Sequence, residues 1–269
     1  MNRLQDVLKN ARAENRAVLI GYLPAGYPSV DGSIEAMRAM VEGGCDIIEV
    51  GLPYSDPAMD GPVIQAAADQ ALARGVTTPD VIRAAGAVAD TGAAALIMSY
   101  WNPIEHYGVD RFAADLAAVG GSGVITPDLI PEEAGPWIAA TDAHDLGRVF
   151  LVAPSSSAER IALTAEVCTG FVYAGAVMGV TGARDQVGGA AQALVARTKE
   201  ATEQAVCVGL GVSNGDQAAE IAAYADGVIV GSAFVRRLLD NRDPRKGAEA
   251  VRELAAELAD GVRRGSKAR

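Results

Sequence analysis

Residues 34–51 read IEAMRAMVEGGCDIIEVG, and this stretch contains the pattern of one helix followed by one strand, the two elements that the predicted fold repeats. Ile34, Met37 and Val41 repeat at spacings of three and four, the period of one buried helix face. The run 47–51 is short, almost wholly apolar and rich in isoleucine and valine, which is typical of a strand covered on both faces. A helix joined to such a strand indicates a parallel sheet with helices packed outside it.

The same kind of strand recurs along the whole chain, with helical patterns between the strands. Eight strands are predicted, at residues 18–22, 47–51, 96–100, 123–126, 149–152, 171–174, 206–209 and 228–230. They predict one α/β domain over residues 1–269, a (β/α)8 TIM barrel, with a doubly wound open sheet as the competing architecture. We also expect an extra N-terminal helix at about residues 2–13 and an added helix between strands two and three, because 61–91 holds two helical patterns.

The composition disfavours several classes of protein. Half of the 269 residues are hydrophobic and the formal net charge is −11, so we expect a packed core and no broad surface for nucleic acid or anionic membrane. Cys45, Cys168 and Cys207 lie far apart in apolar runs, which favours free thiols in a reducing compartment. The start is polar and amphipathic, and no apolar run reaches roughly 18 residues, so a cytoplasmic protein is expected.

Two carboxylates at and after the end of strand two are the strongest candidates for chemistry. Glu49 interrupts an apolar strand, and burial there would raise its pKa, as suits a general acid or base. Asp60 lies at the end of the following loop and precedes Gly-Pro, so a helix cap is its alternative role. Glu49, Asp56 and Asp60 could together hold a hard cation, but no other strand end offers such a ligand set, and we predict no metal site.

Glycine-rich turns after strands seven and eight predict a phosphate site. Gly209-Leu210-Gly211 and Gly231-Ser232 stand where barrel enzymes often bind phosphate at the N-terminus of a short helix. The glycine-flanked loop 179–184 follows strand six and can add further donors, and the segments 100–103 and 126–128 could line a pocket or an oligomer surface. These patterns predict a barrel enzyme that acts on a small phosphorylated compound.

Seven motifs stand at these strand ends: GYLPAGYP at 21–28, IEVGLPYSDP at 48–57, DGP at 60–62, YWNP at 100–103, GVTG at 179–182, GLG at 209–211 and GS at 231–232. In this order, over essentially the whole chain, they resemble the tryptophan synthase alpha chain family. The resemblance implies a (β/α)8 barrel that cleaves indole-3-glycerol phosphate to indole and glyceraldehyde 3-phosphate by a retro-aldol reaction. It implies no cofactor in this chain and a partner, the beta chain, that carries pyridoxal phosphate (PLP) in an alpha2-beta2 tetramer.

The resemblance also implies roles for individual residues. Glu49 would protonate C3 of the indole ring and assist proton removal from the glycerol hydroxyl, while Asp60 would stabilise positive charge at the indole N–H. The substrate pocket would be lined by Tyr22, Met98, Tyr100, Tyr173, Thr181, Leu210 and Ile229. The phosphate would lie on Gly182, Gly211, Gly231 and Ser232. The beta chain would dock on Asp56, Pro57, Asn102 and Asp128.

One position departs from the family pattern. Ala176 stands where a serine is expected, which could weaken substrate binding or the response to a partner. Three alternatives stay open beside the leading hypothesis: a stand-alone indole-3-glycerol phosphate lyase of a specialised pathway, a phosphate-binding barrel isomerase or epimerase, and a catalytically weakened allosteric partner of a beta chain. The intact carboxylate pair and phosphate glycines favour an active enzyme.

Overall fold

The computed structural model describes residues 2–175, 184–209, 211–241 and 243–267. The strands are β1 (Val18–Pro24), β2 (Ile47–Gly51), β3 (Ala94–Met98), β4 (Gly123–Ile125), β5 (Gly147–Val149), β6 (Leu151–Val152), β7 (Phe171–Gly175), β8 (Ala205–Gly209) and β9 (Gly227–Val230). The helices are α1 (Arg3–Ala13), α2 (Val30–Gly43), α3 (Pro62–Ala73), α4 (Thr78–Ala89), α5 (Trp101–Tyr107), α6 (Val109–Ala118), α7 (Gly135–Ala143), α8 (Ala158–Val167), α9 (Arg184–Ala201), α10 (Gly215–Ala222), α11 (Ser232–Asp240) and α12 (Pro244–Ser266). A 3-10 turn, Pro131–Glu133, precedes α7.

The sheet is parallel throughout and closes into a barrel. Its strand order is β5-β4-β3-β2-β1-β9-β8-β7-β6, so the two edge strands are consecutive in the chain. β5 pairs with β4, whereas β6 pairs with β7, and only Phe150 separates the two. The prediction of one strand over 149–152 therefore joined parts of two strands that have different partners. Counted as one barrel position, β5 and β6 complete the predicted (β/α)8 barrel.

Strand three lies two residues earlier than the sequence predicts. β3 covers Ala94–Met98, and its buried alanines pair with Ile47 and Ile48 of β2. Alanine has a weak preference for strands, which is why the pattern did not include it. Tyr100 instead takes the N-cap position of α5, whose first turn accommodates a proline.

Two hydrophobic clusters divide the strand residues between the barrel interior and the helix layer. Ile20, Ile47 and Leu96 belong to the inner cluster, whereas Ile48 and Val50 pack outward against the helices. Because neighbouring strand residues point to opposite faces, Glu49 shares the inner face with Ile47. The predicted N-terminal helix is confirmed as α1, which adds Leu4, Val7 and Ala11 to the inner cluster and covers the N-terminal end of the barrel.

The helix layer contains the added helices and a tightly packed C-terminal helix. α3 and α4 both lie between β2 and β3, which confirms the expected insertion. α12 packs closely on α10, because a Cβ on Gly261 would overlap the backbone of Gly215 and one on Gly265 would overlap the backbone of Ala219. Within the described ranges, no helix is long and apolar enough to cross a membrane. The three cysteines are buried, and none of them forms a disulfide with another.

Candidate active site

Glu49 lies inside the barrel near the C-terminal end of β2. In the strand register it stands between Tyr22 of β1 and Leu96 of β3. The residue is 1% exposed, and its Oε1 atom has no hydrogen-bond partner among the residues that the structure describes. Burial raises the pKa of Glu49 from 4.5 to about 8. At neutral pH this carboxyl group therefore holds a proton that it can donate.

Two tyrosines, Tyr22, which is buried, and Tyr173, which is partly buried, face the same carboxyl group. Tyr22 and Tyr173 lie against glycines of the neighbouring strands, since a Cβ on Gly51 or Gly209 would overlap the tyrosine hydroxyl. Burial raises the pKa of both phenols well above its ordinary value, and the charges of Asp60 and Glu49 add to the effect at each ring. Glu49, Asp60 and the two tyrosines thus share one electrostatic environment, and their roles toward a substrate stay predictions.

Asp60 closes the loop 52–61, which we call loop two. It is half-buried, its backbone carbonyl accepts a hydrogen bond from Gln65 Nε2 at 2.7 Å, and its Oδ1 atom lies 3.5 Å from the Tyr100 hydroxyl. Burial raises the pKa of Asp60, while the Tyr100 hydrogen bond acts in the opposite direction. Gly61 is the N-cap of α3 and receives no side-chain cap, so the alternative role of Asp60 as a helix cap is wrong.

Tyr100 contacts loop two at several points. Its hydroxyl accepts a hydrogen bond from the Met59 backbone N–H at 3.0 Å, and its ring lies 5.3 Å from the ring of Tyr54. The resemblance implies that Tyr100 lines the pocket and that Tyr54 belongs to the loop that docks the beta chain, but it does not predict a contact between the two. The sequence signal that could have pointed to this contact is an aromatic side chain in an otherwise polar, proline-rich loop.

Of the other predicted pocket residues, two lie within the residues that the structure describes and two do not. Ile229 belongs to the inner cluster, where it pairs with Ile20 and Gly209. Met98 ends β3 and packs against the inner cluster. Thr181 and Leu210 lie outside the described residues, as does Ala176. Contact of any of these side chains with a substrate stays a prediction.

The predicted phosphate site centres on the N-terminus of α11. Gly231 is the N-cap of this helix, without a side-chain cap, and Ser232 is its first residue. Gly211, in the turn between β8 and α10, adopts a φ of +63°, a conformation that glycine reaches without strain. A Cβ on Gly231 would lie 3.2 Å from the Tyr22 ring, so the helix end adjoins the tyrosine that faces Glu49. Gly182 lies outside the described residues, and phosphate binding stays a prediction.

The predicted docking residues lie at the C-terminal face, in loops and in the first turn of α5. Asp56 and Asn102 are exposed, and Pro57 is half-buried. Asp128 has a structural contact as well, because its Oδ1 atom accepts the Trp101 backbone N–H at 2.9 Å and so caps α5. Sequence reasoning missed two large apolar side chains nearby.

These two side chains are Met59, 50% exposed, and Ile130, 49% exposed. Both line a groove of about 310 Å³, together with Asp128. An apolar residue inside a polar strand-end loop was the signal available for each. Among the described residues, no group of three His, Cys, Asp or Glu side chains could hold a metal ion, so the Glu49, Asp56 and Asp60 set is not assembled.

Comparison with known proteins identifies close relatives. A family model described as the tryptophan synthase alpha chain matches residues 8–263. The chain is 62% identical over 266 residues to the tryptophan synthase alpha chain of Thermobifida fusca, with 98% of each chain covered. It is 62% identical over 262 residues to that of Mycobacteroides abscessus, covering 97% of this chain and 98% of the relative.

Solved structures agree with these relatives. A structure of tryptophan synthase from M. tuberculosis in its aminoacrylate-bound form matches with a TM-score of 0.89 at 53% identity, covering 97% of this chain and 100% of that chain. The tryptophan synthase alpha subunit from Legionella pneumophila has the same TM-score of 0.89 at 31% identity, covering 98% and 99%. The resemblance read from the strand-end motifs is therefore confirmed, and the chain belongs to the tryptophan synthase alpha chain family.

Proposed function

We propose that this chain cleaves indole-3-glycerol phosphate to indole and glyceraldehyde 3-phosphate, as a carbon–carbon lyase of tryptophan biosynthesis. One observation carries the proposal. Glu49 is a carboxyl group that is buried in the barrel and protonated at neutral pH, and its Oε1 has no hydrogen-bond partner among the described residues. An acid of this kind supplies the first step of the cleavage, which is protonation of the indole ring.

The proton transfers balance on Glu49 alone. Glu49 donates its proton to C3 of the indole ring, which leaves a positive charge shared with N1. The resulting carboxylate then accepts the proton of the hydroxyl on the carbon attached to C3. As that oxygen becomes the aldehyde, the bond between C3 and this carbon breaks, and its electron pair neutralises the ring. C3 has gained one proton, the hydroxyl has lost one, and Glu49 is again protonated.

Asp60 is assigned the charge at N1. Its carboxylate stabilises the cationic ring most strongly when the charge is fully developed, so it acts on the transition state more than on the bound substrate. This role requires Asp60 to be ionised while Glu49 is protonated. The reaction rate therefore rises with pH as Asp60 loses its proton and falls above about pH 8 as Glu49 loses its own.

The remaining predicted residues bind the substrate in this proposal. Tyr22, Tyr100, Tyr173, Met98 and Ile229, with Thr181 and Leu210, enclose the indole ring and the glycerol chain. Backbone groups of Gly182, Gly211 and Gly231, with Ser232, hold the phosphate. The first two N–H groups of α11, those of Ser232 and Ala233, support this assignment, because they have no acceptor within the helix and the helix dipole favours an anion.

A beta chain is the partner that we propose for the C-terminal face, in an alpha2-beta2 tetramer with PLP held by the beta chain alone. The exposed Met59 and Ile130, beside Asp56, Asn102 and Asp128, support an interface there. The proton transfers assigned to Glu49 need no cofactor in this chain. Three cysteines that form no disulfide with one another are expected in a reducing compartment, which supports a cytoplasmic location.

An indole-release assay tests the proposal. The purified chain is incubated with indole-3-glycerol phosphate, with and without a beta chain, beside the variants Glu49→Gln and Asp60→Asn. We expect indole release by the wild-type chain, stimulation by the beta chain and a loss of at least about a hundredfold in each variant. Strong release that a beta chain leaves unchanged would favour the stand-alone lyase. Full release by both variants would overturn the assigned roles.

A further inference from the structure

We infer that Tyr100 is a positioning residue for Asp60, because one hydroxyl group holds both the Asp60 carboxyl group and the loop-two backbone beside it. The inference rests on the proposed function, in which Asp60 stabilises charge on the indole ring. It gives Tyr100 a task distinct from lining the pocket, since the hydroxyl acts through Asp60 and not on the substrate.

The hydrogen-bond directions at Tyr100 are fixed by its chemistry. A phenol has a single proton to donate. The Met59 backbone N–H can only donate, and it reaches the Tyr100 oxygen at 3.0 Å. The proton of the hydroxyl is then free for the neighbouring acceptor, Asp60 Oδ1, at 3.5 Å. The same oxygen therefore fixes the backbone before Asp60 and offers its proton to the ionised form of the carboxyl group.

The Tyr100 ring is itself held in place. Tyr100 is 6% exposed, and it is the N-cap residue of α5, with φ −62° and ψ 157°. The Ser99 hydroxyl donates to the Tyr100 carbonyl at 2.7 Å, and the ring of Tyr54 packs on it at 5.3 Å with an angle of 33°. Tyr100 thus contacts loop two at its start, at Met59 and at Asp60, from a strand end that does not belong to the loop.

Among the described residues, three phenol groups lie within electrostatic reach of the Asp60 carboxylate. The phenols of Tyr22 on β1 and Tyr173 on β7 feel its charge, as does Tyr100. Tyr100 is the one hydrogen-bonding side chain that lowers the pKa of Asp60 among the described residues. Loss of its hydroxyl must therefore raise the pKa of Asp60 and leave that of Glu49 unchanged, because burial alone sets the latter.

The test compares Tyr100→Phe with Tyr54→Phe. Each variant removes one hydroxyl and keeps the ring, and the Tyr54 hydroxyl has no hydrogen-bond partner in the described part of the chain. Indole release by the chain alone is measured as kcat and KM across pH. For Tyr100→Phe we expect kcat to fall about tenfold or more, KM to change less than threefold and the acidic limb of the kcat profile to move to higher pH. Tyr54→Phe should match the wild type.

Other results overturn the inference. An unmoved acidic limb in Tyr100→Phe, a change confined to KM, or equal losses in both variants would assign Tyr100 to packing or substrate contact. If the wild-type chain releases no indole, the proposed function fails by itself. Tyr100 is then judged by a carbon-13 NMR titration of the Asp60 carboxyl group, where a higher pKa in Tyr100→Phe supports the positioning role and an unchanged pKa overturns it.

Discussion

β2 has a carboxylate at each end, and the two have opposite surroundings. Asp46 immediately precedes the strand, and its Oδ2 atom accepts hydrogen bonds from the Leu19 backbone N–H at 2.9 Å and from Arg16 Nη1 at 3.0 Å. Glu49, three residues later, lies inside the barrel, and its Oε1 has no hydrogen-bond partner in the described residues. One carboxylate is hydrogen-bonded within the fold, and the other keeps an oxygen without a partner, as its proposed role as an acid requires.

The N-terminal end repeats this arrangement at a second strand. Asp226 immediately precedes β9, and its carboxylate accepts from the Val206 backbone N–H at 3.0 Å and from Lys199 Nζ at 3.0 Å. Each aspartate joins the start of its own strand to the neighbouring strand. The comparison indicates that carboxylates at the N-terminal end stabilise the barrel, whereas burial of Glu49 costs stability and leaves its carboxyl group available for the proposed reaction.

The largest effect is expected from Glu49→Gln. The variant keeps the shape of the side chain but has no transferable proton, so indole release should fall by about a thousandfold or more. Its free energy of unfolding should not fall, because no buried charge or hydrogen bond that stabilises the fold is lost. Activity assays and urea denaturation at pH 7 check both statements. A variant that is less stable than the wild type would break the comparison.

The pH dependence of stability gives the next effect. The folded pKa of Glu49 is about 8 against 4.5 ordinarily, so the folded protein keeps a proton that the unfolded chain releases. Stability must then fall as pH rises from 4.5 to 8, by about 3 kcal/mol at pH 7. The wild type minus Glu49→Gln difference in unfolding free energy, measured from pH 5 to 8, isolates this slope. If this difference does not change with pH, the pKa of Glu49 is not raised by burial.

Asp46→Ala should have the reverse profile. It leaves the Leu19 N–H without an acceptor and Arg16 with Glu14 and the Ala17 carbonyl as partners, so we expect a loss of about 2 kcal/mol in unfolding free energy and an unchanged kcat. Asp46→Asn, which keeps an acceptor oxygen, is the matched control and should lose less. A loss of activity in properly folded Asp46→Ala would show that the N-terminal end of β2 contributes to activity as well as to stability.

The smallest effect belongs to an exposed ion pair at the same end. Arg12 and Glu203 are 3.7 Å apart, with side chains 77% and 96% exposed. Arg12→Ala should change Tm by less than about 2 °C, since water screens such pairs. A calorimetric scan beside Asp46→Ala then separates the strand-capping hydrogen bonds from charge pairing as the source of stability.

Periodicity predicts the barrel well because each strand must be apolar on both faces. It predicts Glu49 for the same reason, since a carboxylate in such a strand stands out. It does not predict Asp46 or Asp226, because their value depends on backbone N–H groups of neighbouring strands that only the register brings near. Likewise, the contact of Tyr100 with Met59 and Asp60 joins two loops 41 and 40 residues apart in sequence, which no local pattern contains.

The closure of the barrel at Phe150 bears on where the chain can change length. Val149 belongs to the inner cluster, Phe150 to the outer one, and Leu151 packs inward again, so side-chain parity runs unbroken from β5 into β6. A deletion or insertion of one residue at Phe150 would turn the side chains of β6 to the opposite face of the barrel. The neighbouring strands β4 and β7 would keep their own register, so the inner and outer faces would no longer match. Insertions and deletions should therefore be tolerated in the surface loops but not at Phe150, which joins the two edge strands of the sheet.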